Sequence, residues 1–373
     1  KQTILDTKGV VTVKARSLPD LTIIISTLAL LCIGVVMVYS ASAVNALHDY
    51  GDAYFYLKRQ LIFAVLGVIS MFVVMNIDYW IWKKYAKVLL IVAFVLLIIV
   101  LIPGIGVVRG GARSWLGIGS LGVQPSEFMK LAIIIFLAKW LTDHQARISY
   151  FTTGLLPPLA IMGTAFGLIM LQPDLGTGAV LAGASMIVIY VAGARMAHLS
   201  GLALMGLAGF AALIAAAPYR LQRITAFLDP WQDPLGAGYQ SIQSLYAIGP
   251  GGLVGLGLGM SRQKYSYLPE PQTDFIFSIL AEELGFIGGA TVLVLFTLLM
   301  WKGMRVAITA PDTFGSLLAA GITGILAVQV VINIGVVIGM MPVTGITLPL
   351  ISAGGSSLTL ILTAIGILLN ISR

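Results

Sequence analysis

The stretch YLPEPQTDFIFSILAEELGF, Tyr267 to Phe286, decides how this chain is read. LPEPQ cannot be helical throughout, because each proline pushes its predecessor out of the helical region. TDFIFSILAEELGF reads as the start of a membrane helix, with Thr273 expected at the N-cap. Asp274 would then sit at the positive end of a helix dipole. Four carboxylates punctuate this apolar setting: Glu270, Asp274, Glu282 and Glu283. Glu282 and Glu283 lie eight or nine residues in, about 12–13 Å along a helix axis. Acids inside a span face a cavity or a partner. Two blander readings stand beside this one. Asp274 only caps the helix, or the helix rises above the bilayer and leaves the glutamates wet.

The surroundings make those acids costly. Of 373 residues, 58% are hydrophobic and 10% charged, against about 25% charged in a soluble domain. The single cysteine, Cys32, lies in an apolar run and has no intrachain partner for a disulfide. The polar, basic first eighteen residues and the length of the first apolar run give no expectation of a signal peptide. The net charge of +7 is assigned to membrane orientation rather than to nucleic acid.

A bilayer core takes about 20 apolar residues per helix. On that rule the chain is an all-α membrane protein of about ten spans: 19–44, 58–77, 85–103, 124–142, 154–172, 176–194, 198–217, 274–301, 313–340 and 349–371. Residues 1–18 form a tail and 19–373 one polytopic domain. Two connections are long, 104–123 and 218–273. More than half of the 22 Lys and Arg residues fall on the side of the termini, among them Lys83, Lys84, Lys87, Arg195, Lys302 and Arg305. That bias places both termini in the cytoplasm and both long loops outside.

The outer side still holds Lys58, Arg59, Arg109, Arg113, Lys130, Arg220, Arg223, Arg262 and Lys264. An anionic ligand would account for them. Arg109 and Arg113 lie among glycines in RGGARSWLGIGSLGVQPSEFMK, where guanidinium groups can fork onto phosphate. Trp115 serves as an interfacial anchor or stacks on a sugar. Pro125 suits a first helical turn, so Glu127 and Lys130 share a helix face and can pair. A Glu–Lys pair inside a span points to a functional cavity. Asp174, in QPDLGTG, reads as a turn residue or cap or as a further site acid. GMMPVTGITLPLISAGGSSL, Gly339 to Leu358, breaks the approach to the last span. Such backbone lies at membrane depth only where it is buried or lines a cavity. No P-loop, HExxH or CxxC occurs, and His48, His144 and His198 are scattered.

Taken together, RSWLGIG with QPSEFMKL, QPDLGTG, LPEPQTDFIFSILAEELG and GITLPLISAGGSSL resemble the SEDS family (shape, elongation, division and sporulation), from about residue 19 to the C-terminus. APYRLQRITAFLDPWQDPLG and NIGVVIGMMPVTGITLPLIS look closer to its FtsW and stage V sporulation protein E branches than to its RodA branch. Ala353 departs from the tyrosine usual in the family's ISYGGSS.

The resemblance implies a peptidoglycan glycosyltransferase that polymerises lipid II at the outer face of the cytoplasmic membrane, with a class B penicillin-binding protein as partner. It makes Asp274 the essential acid, read as general base, and carries over Trp115, Glu127, Lys130 and Asp174. Arg59, Arg109, Arg113, Arg220 and Arg223 are then expected to gather on the leaving pyrophosphate. Gln124, Glu282 and Glu283 are secondary candidates. No cofactor is required; a divalent cation, Mg or Mn, bridging pyrophosphate and carboxylate stays open, although no dedicated metal cage is visible. The rival readings are a lipid II flippase and a non-catalytic scaffold of the wall-synthesis complex.

Overall fold

The computed structural model describes residues 3–5, 11–13, 18–109, 111–118, 121–215 and 218–373. Each expected span becomes a helix: α1 Leu21–Tyr50, α2 Phe55–Met75, α3 Trp80–Leu101, α4 Pro125–Asp143, α5 Leu156–Met170, α6 Leu175–Val191 and α7 Met196–Ala215. After residues 218–273 follow α10 Ile276–Thr309, α11 Thr313–Val337 and α12 Ser356–Ile371. Six of the described helices are long and apolar enough to cross a membrane by length and composition, and Leu175–Val191, Met196–Gly209 and Ser356–Ile371 are shorter apolar helices. The chain is a multi-pass helical membrane protein.

Three expectations need correction. The connection 104–123 is not a plain loop. It folds as β3 Gly106–Arg109, β4 Ala112–Ile118 and β5 Leu121–Val123, an antiparallel sheet pairing Val107 with Trp115 and Leu116 with Val123. Gly111, at φ 80°, turns one strand into the next. A second small pairing joins β1 Thr3–Leu5 to β2 Val11–Val13 in the tail. The long connection 218–273 contains α8 Pro218–Leu228 and α9 Tyr239–Gly251.

Span eight is broken. Gly285, inside α10, has φ 66° and ψ −163°. The segment after α9 is stitched along the break. Leu256 N and Gly257 N donate to the carbonyls of Glu282 and Glu283, while Phe286 N and Ile287 N donate to those of Gly252 and Leu253. The backbone groups freed by the break are thus satisfied within the protein, as the membrane interior requires. The approach is too close for side chains: a Cβ on Gly285 would stand 2.3 Å from Gly255 N, and one on Gly255 2.1 Å from Glu283 O.

The last span starts seven residues later than expected, at Ser356 rather than 349. Residues 338–355 are not helical. They re-enter the bundle, burying Leu348, Leu350 and Ile351. Gly34, mid-way along α1, makes room, since a Cβ there would lie 2.5 Å from Leu350 O. Hydropathy alone could not separate this buried coil from helix. α4, apolar on nearly every side, packs among α3, α6, α11 and α12 and forms the centre of the core.

Candidate functional site

Asp274 lies in a turn, not in the first helical turn. The N-cap of α10 is Phe275, without a side-chain cap. Thr273 is spent differently, its N–H and hydroxyl both donating to Glu270 O, at 3.0 and 2.9 Å. The prolines at 269 and 271 therefore set a turn where a cap was expected. Three successive carbonyls of this turn are then gripped. Ala353 N donates to Gln272 O at 2.9 Å, Ser352 Oγ to Thr273 O at 2.6 Å and Asn333 Nδ2 to Asp274 O at 2.8 Å. The Asp274 side chain is half-buried and faces Gly345, where a Cβ would stand 3.6 Å from its Oδ2. Gly345 has φ 74°, a backbone conformation that favours glycine.

The 344–347 segment forms the floor under Asp274. Asn333 Nδ2 also donates to Ile346 O at 2.7 Å, and Gln329 Nε2 donates to Thr347 O at 3.2 Å. Gln329 and Asn333 stand four apart on α11 and so share a face. Gln329 in turn accepts from Lys130 Nζ at 3.2 Å, and Lys130 pairs with Glu127 at 2.8 Å. Ser357 Oγ donates to the other Glu127 oxygen at 2.8 Å. The expected Glu127–Lys130 pair therefore forms, but as a brace. Lys130 is only 3% exposed and Glu127 7%, and their connections run to the floor of Asp274 through Gln329.

Asp174 stands on another side of the same floor. It caps α6, accepting from Thr177 N at 3.0 Å. Its second oxygen accepts from Gln124 Nε2 at 3.1 Å, and Gln124 N donates to Ser356 Oγ at 3.2 Å. Asp174 is close enough to sense the charges of Glu127 and Lys130. Next to it, Gly176 packs so tightly on the floor that a Cβ would lie 2.7 Å from Thr344 O. The Asp274 turn, the start of α6 and the α11 amides thus all meet residues 344–347.

Glu282 and Glu283 belong elsewhere. They are 1% and 0% exposed, and their oxygens are occupied by the protein. Glu283 accepts from Ser40 Oγ at 2.6 and 2.8 Å, from Ser261 N at 3.2 Å and pairs with Lys264 at 3.1 Å. Glu282 accepts from Ser261 Oγ at 2.5 Å and Arg262 N at 2.8 Å. Lys264, one of the outer cations, is itself buried and bound to Gly259 O at 2.6 Å. This cluster locks residues 259–264 onto the broken helix, and it places neither glutamate beside Asp274.

Two of the five arginine side chains, Arg59 and Arg113, are described. Arg59 on α2 lies 5.7 Å from the centre of the Phe55 ring. The Arg113 side chain packs over Gly106, and Trp115 sits partly buried on β4. The side chains of Arg109, Arg220 and Arg223 lie outside the described residues, so most of the expected convergence falls there. Glu270 holds a left-handed backbone, φ 49°, and accepts from Gln272 Nε2 at 3.0 Å. Burial first, then the nearby Asp49, raises its carboxyl above the usual range. Among the described residues no three of His, Cys, Asp and Glu gather as a metal site.

Sequence reading missed Gln329, Asn333 and Ser352, which hold the floor and the turn. A signal existed for the first two: a pair of amides at helical spacing within the otherwise apolar AVQVVINIGVV.

The model of the FtsW/RodA/SpoVE cell cycle protein family matches residues 21–373. Stage V sporulation protein E of Bacillus subtilis strain 168 is 60% identical over 358 residues, 96% of this chain and 98% of that protein. A probable peptidoglycan glycosyltransferase FtsW of Trichlorobacter lovleyi is 45% identical over 353 residues, 95% and 93% of the two chains. Among solved structures, one from work on the structural coordination of polymerization and crosslinking by a peptidoglycan synthase complex superposes with a TM-score of 0.78 at 33% identity, covering 95% of this chain and 98% of the other. The rod shape determining protein RodA of Thermus thermophilus superposes with a TM-score of 0.70 at 30% identity, covering 95% and 97%. Motifs, architecture and near full-length similarity agree, and the chain belongs to the FtsW/RodA/SpoVE family, the SEDS family.

Proposed function

We propose that this protein is a peptidoglycan glycosyltransferase that polymerises lipid II into glycan strands at the outer face of the cytoplasmic membrane, with Asp274 as general base. One observation carries the reading. Within the acid-rich stretch, Asp274 has its backbone clamped through three successive carbonyls and its side chain half-open, whereas Glu282 and Glu283 are sealed. A base needs that combination of fixed position and access.

The step is a displacement at an anomeric carbon. A sugar hydroxyl of one substrate attacks the anomeric carbon that bears the pyrophosphate of the other. A C–O bond forms, the bond to pyrophosphate breaks, and the hydroxyl proton passes to the Asp274 carboxylate. Undecaprenyl pyrophosphate leaves with the bonding electrons, and its charge calls for cations. Arg59 and Arg113, with Arg109, Arg220 and Arg223, are the candidates for that task, and Trp115 is a candidate sugar contact. A divalent cation, Mg or Mn, would supply charge neutralisation at the pyrophosphate. Glu127, Lys130, Asp174 and Gln124 act from behind, by holding the floor beneath Asp274.

The chain is oriented with both termini in the cytoplasm, and its partner is a class B penicillin-binding protein that crosslinks the new strand. The similarity to a chain of a peptidoglycan synthase complex supports that pairing. The test is purified protein, with its partner, given labelled lipid II in vesicles. Polymer that disappears in Asp274→Asn supports the proposal. Translocation without polymer would favour a flippase, and neither product would favour a scaffold; each outcome sinks the enzymatic reading.

A further inference from the structure

A cavity of about 470 Å³ opens between α8, α9 and the segment that leads to Gly345. Gln222, Phe227, Tyr239, Gln240 and Ser241 line it, together with Pro269 and Val343. The last two neighbour the Asp274 site along the chain. Val343 precedes Gly345, the neighbour of the Asp274 carboxylate, by two residues, and Pro269 starts the turn that carries Asp274.

The walls are preformed. Asp229 Oδ1 accepts from Trp231 N at 3.2 Å, and Asp233 Oδ2 accepts from Ala237 N at 2.9 Å, which fixes the bend before α9. α9 is keyed to the catalytic helices by Ser244. Its hydroxyl lies 2.7 Å from Ser278 Oγ on α10 and donates to Val337 O at the end of α11, also at 2.7 Å. Gln240 and Ser241 stand four and three residues before Ser244, so they share its helix face. Ser278 is one turn beyond Asp274. The cavity is therefore held in register with Asp274 by buried contacts.

Its chemistry is neutral and polar on one side, aromatic on the other. Among the described residues the wall carries no charged side chain. Among the described residues the Gln240 and Ser241 side chains also have no hydrogen-bond partner. Amides and a hydroxyl beside two aromatic rings suit a ligand with hydroxyl and acetamido groups on one edge and an apolar ring face. A pyrophosphate would instead demand cations in the wall.

We propose that this cavity is a saccharide subsite that holds one N-acetylated sugar unit of the glycan substrate next to Asp274, with Gln222, Gln240 and Ser241 as its hydrogen-bonding side and Phe227 and Tyr239 as its ring-stacking side. The proposal rests on the glycosyltransferase reading for its ligand, and its test is separable from that reading.

The probe is a soluble, uncharged tetramer of N-acetylglucosamine, free of lipid and peptide, titrated into the detergent-purified full-length protein with its partner. Saturation-transfer NMR and calorimetry report its affinity. Wild type and Asp274→Asn should bind it alike. Gln240→Ala and Ser241→Ala should each weaken it about three- to tenfold, the worth of one or two hydrogen bonds, and inorganic pyrophosphate should not displace it. With labelled lipid II the same two variants should raise KM by a similar factor, the loss falling on KM rather than on kcat. Absence of saccharide binding to the wild type, displacement by pyrophosphate, or unchanged affinity in both variants would each overturn the subsite. Saccharide binding with the predicted variant losses, in a protein that makes no polymer, would uphold the subsite while the glycosyltransferase reading fails.

Discussion

Asp274 and Glu283 lie in one stretch of fourteen residues, TDFIFSILAEELGF, and the fold treats them in opposite ways. Asp274 precedes its helix, in a turn held through three backbone carbonyls, and its side chain is half-buried beside a glycine. Glu283 sits one residue pair before the Gly285 break, wholly buried, with a lysine, a serine hydroxyl and a backbone N–H on its oxygens. The first arrangement fixes the backbone of an acid whose side chain stays half-exposed. The second consumes the carboxylate to fasten residues 259–264 and α1 to a broken helix. An acid in a membrane helix is therefore not by itself a catalytic signal. What separates the two cases is burial: Glu283 is fully enclosed and Asp274 is only half-buried.

The comparison breaks first at Asp274. Asp274→Asn should cut polymerisation by about 10²–10⁴-fold, the usual contribution of a general base, while thermal stability and partner binding stay at wild-type values. The turn is held by main-chain carbonyls that Asn leaves in place. Polymer yield with labelled lipid II checks the loss, and a near-normal yield would remove Asp274 from its role.

Glu283 should fail in the other way. Glu283→Gln strands Lys264 in a buried site and should cost about 3–5 kcal/mol of stability. Replacing both members, Glu283→Leu with Lys264→Met, should cost less than Glu283→Gln alone. Thermal unfolding in detergent measures both. Activity per folded molecule of Glu283→Gln should remain near wild type; a catalytic defect in fully folded protein would merge the two sites that are separated here.

The break in α10 sharpens the same contrast. Gly285→Ala puts a Cβ against Gly255 N at a backbone angle that disfavours it. About 1–3 kcal/mol of destabilisation should follow from the strained backbone alone. Hydrogen exchange should rise at Leu256, Gly257, Phe286 and Ile287, whose N–H groups form the stitching, with the Asp274 turn less affected.

The smallest effect lies at the opposite end of the bundle, where Asp20 caps α1 and bridges Lys302 at 3.0 Å. Partial burial pushes the Asp20 carboxyl up, but the Lys302 ammonium and the Thr22 N–H outweigh it and hold it below the usual carboxylate value. A lowered folded-state pKa means that its stabilisation is present above pH of about 4 and is lost as pH falls through the lowered value. Asp20→Asn keeps a cap and loses the bridge, so about 1 kcal/mol or less should disappear, along with that acid-side pH dependence of the unfolding temperature.

Much of this was legible in the chain. Runs of about twenty apolar residues located a helix at each of the ten expected places, because burying an apolar helix in a bilayer depends on composition that is local in sequence. The Glu127–Lys130 pair was legible for the same reason: three residues of helix bring the two side chains together. The opposite holds for the start of α12 and the break in α10. The prolines and glycines of 339–358 announced a break before the last span, but only packing against Gly34 and the bonds to Gln329 and Asn333 carry the buried coil on as far as Gly355.

Which acids stay open was beyond the sequence altogether. Composition and order determined that this is a membrane protein of the SEDS family, where its spans run and which side chains could do chemistry. The tertiary structure decided that Asp274 faces Gly345 and that Glu283 meets Ser40, a partner 243 residues away. The physical reason is that a carboxylate's availability depends on which donors surround it in space. In a low-dielectric interior, those donors decide whether the charge is a structural tie or a reagent.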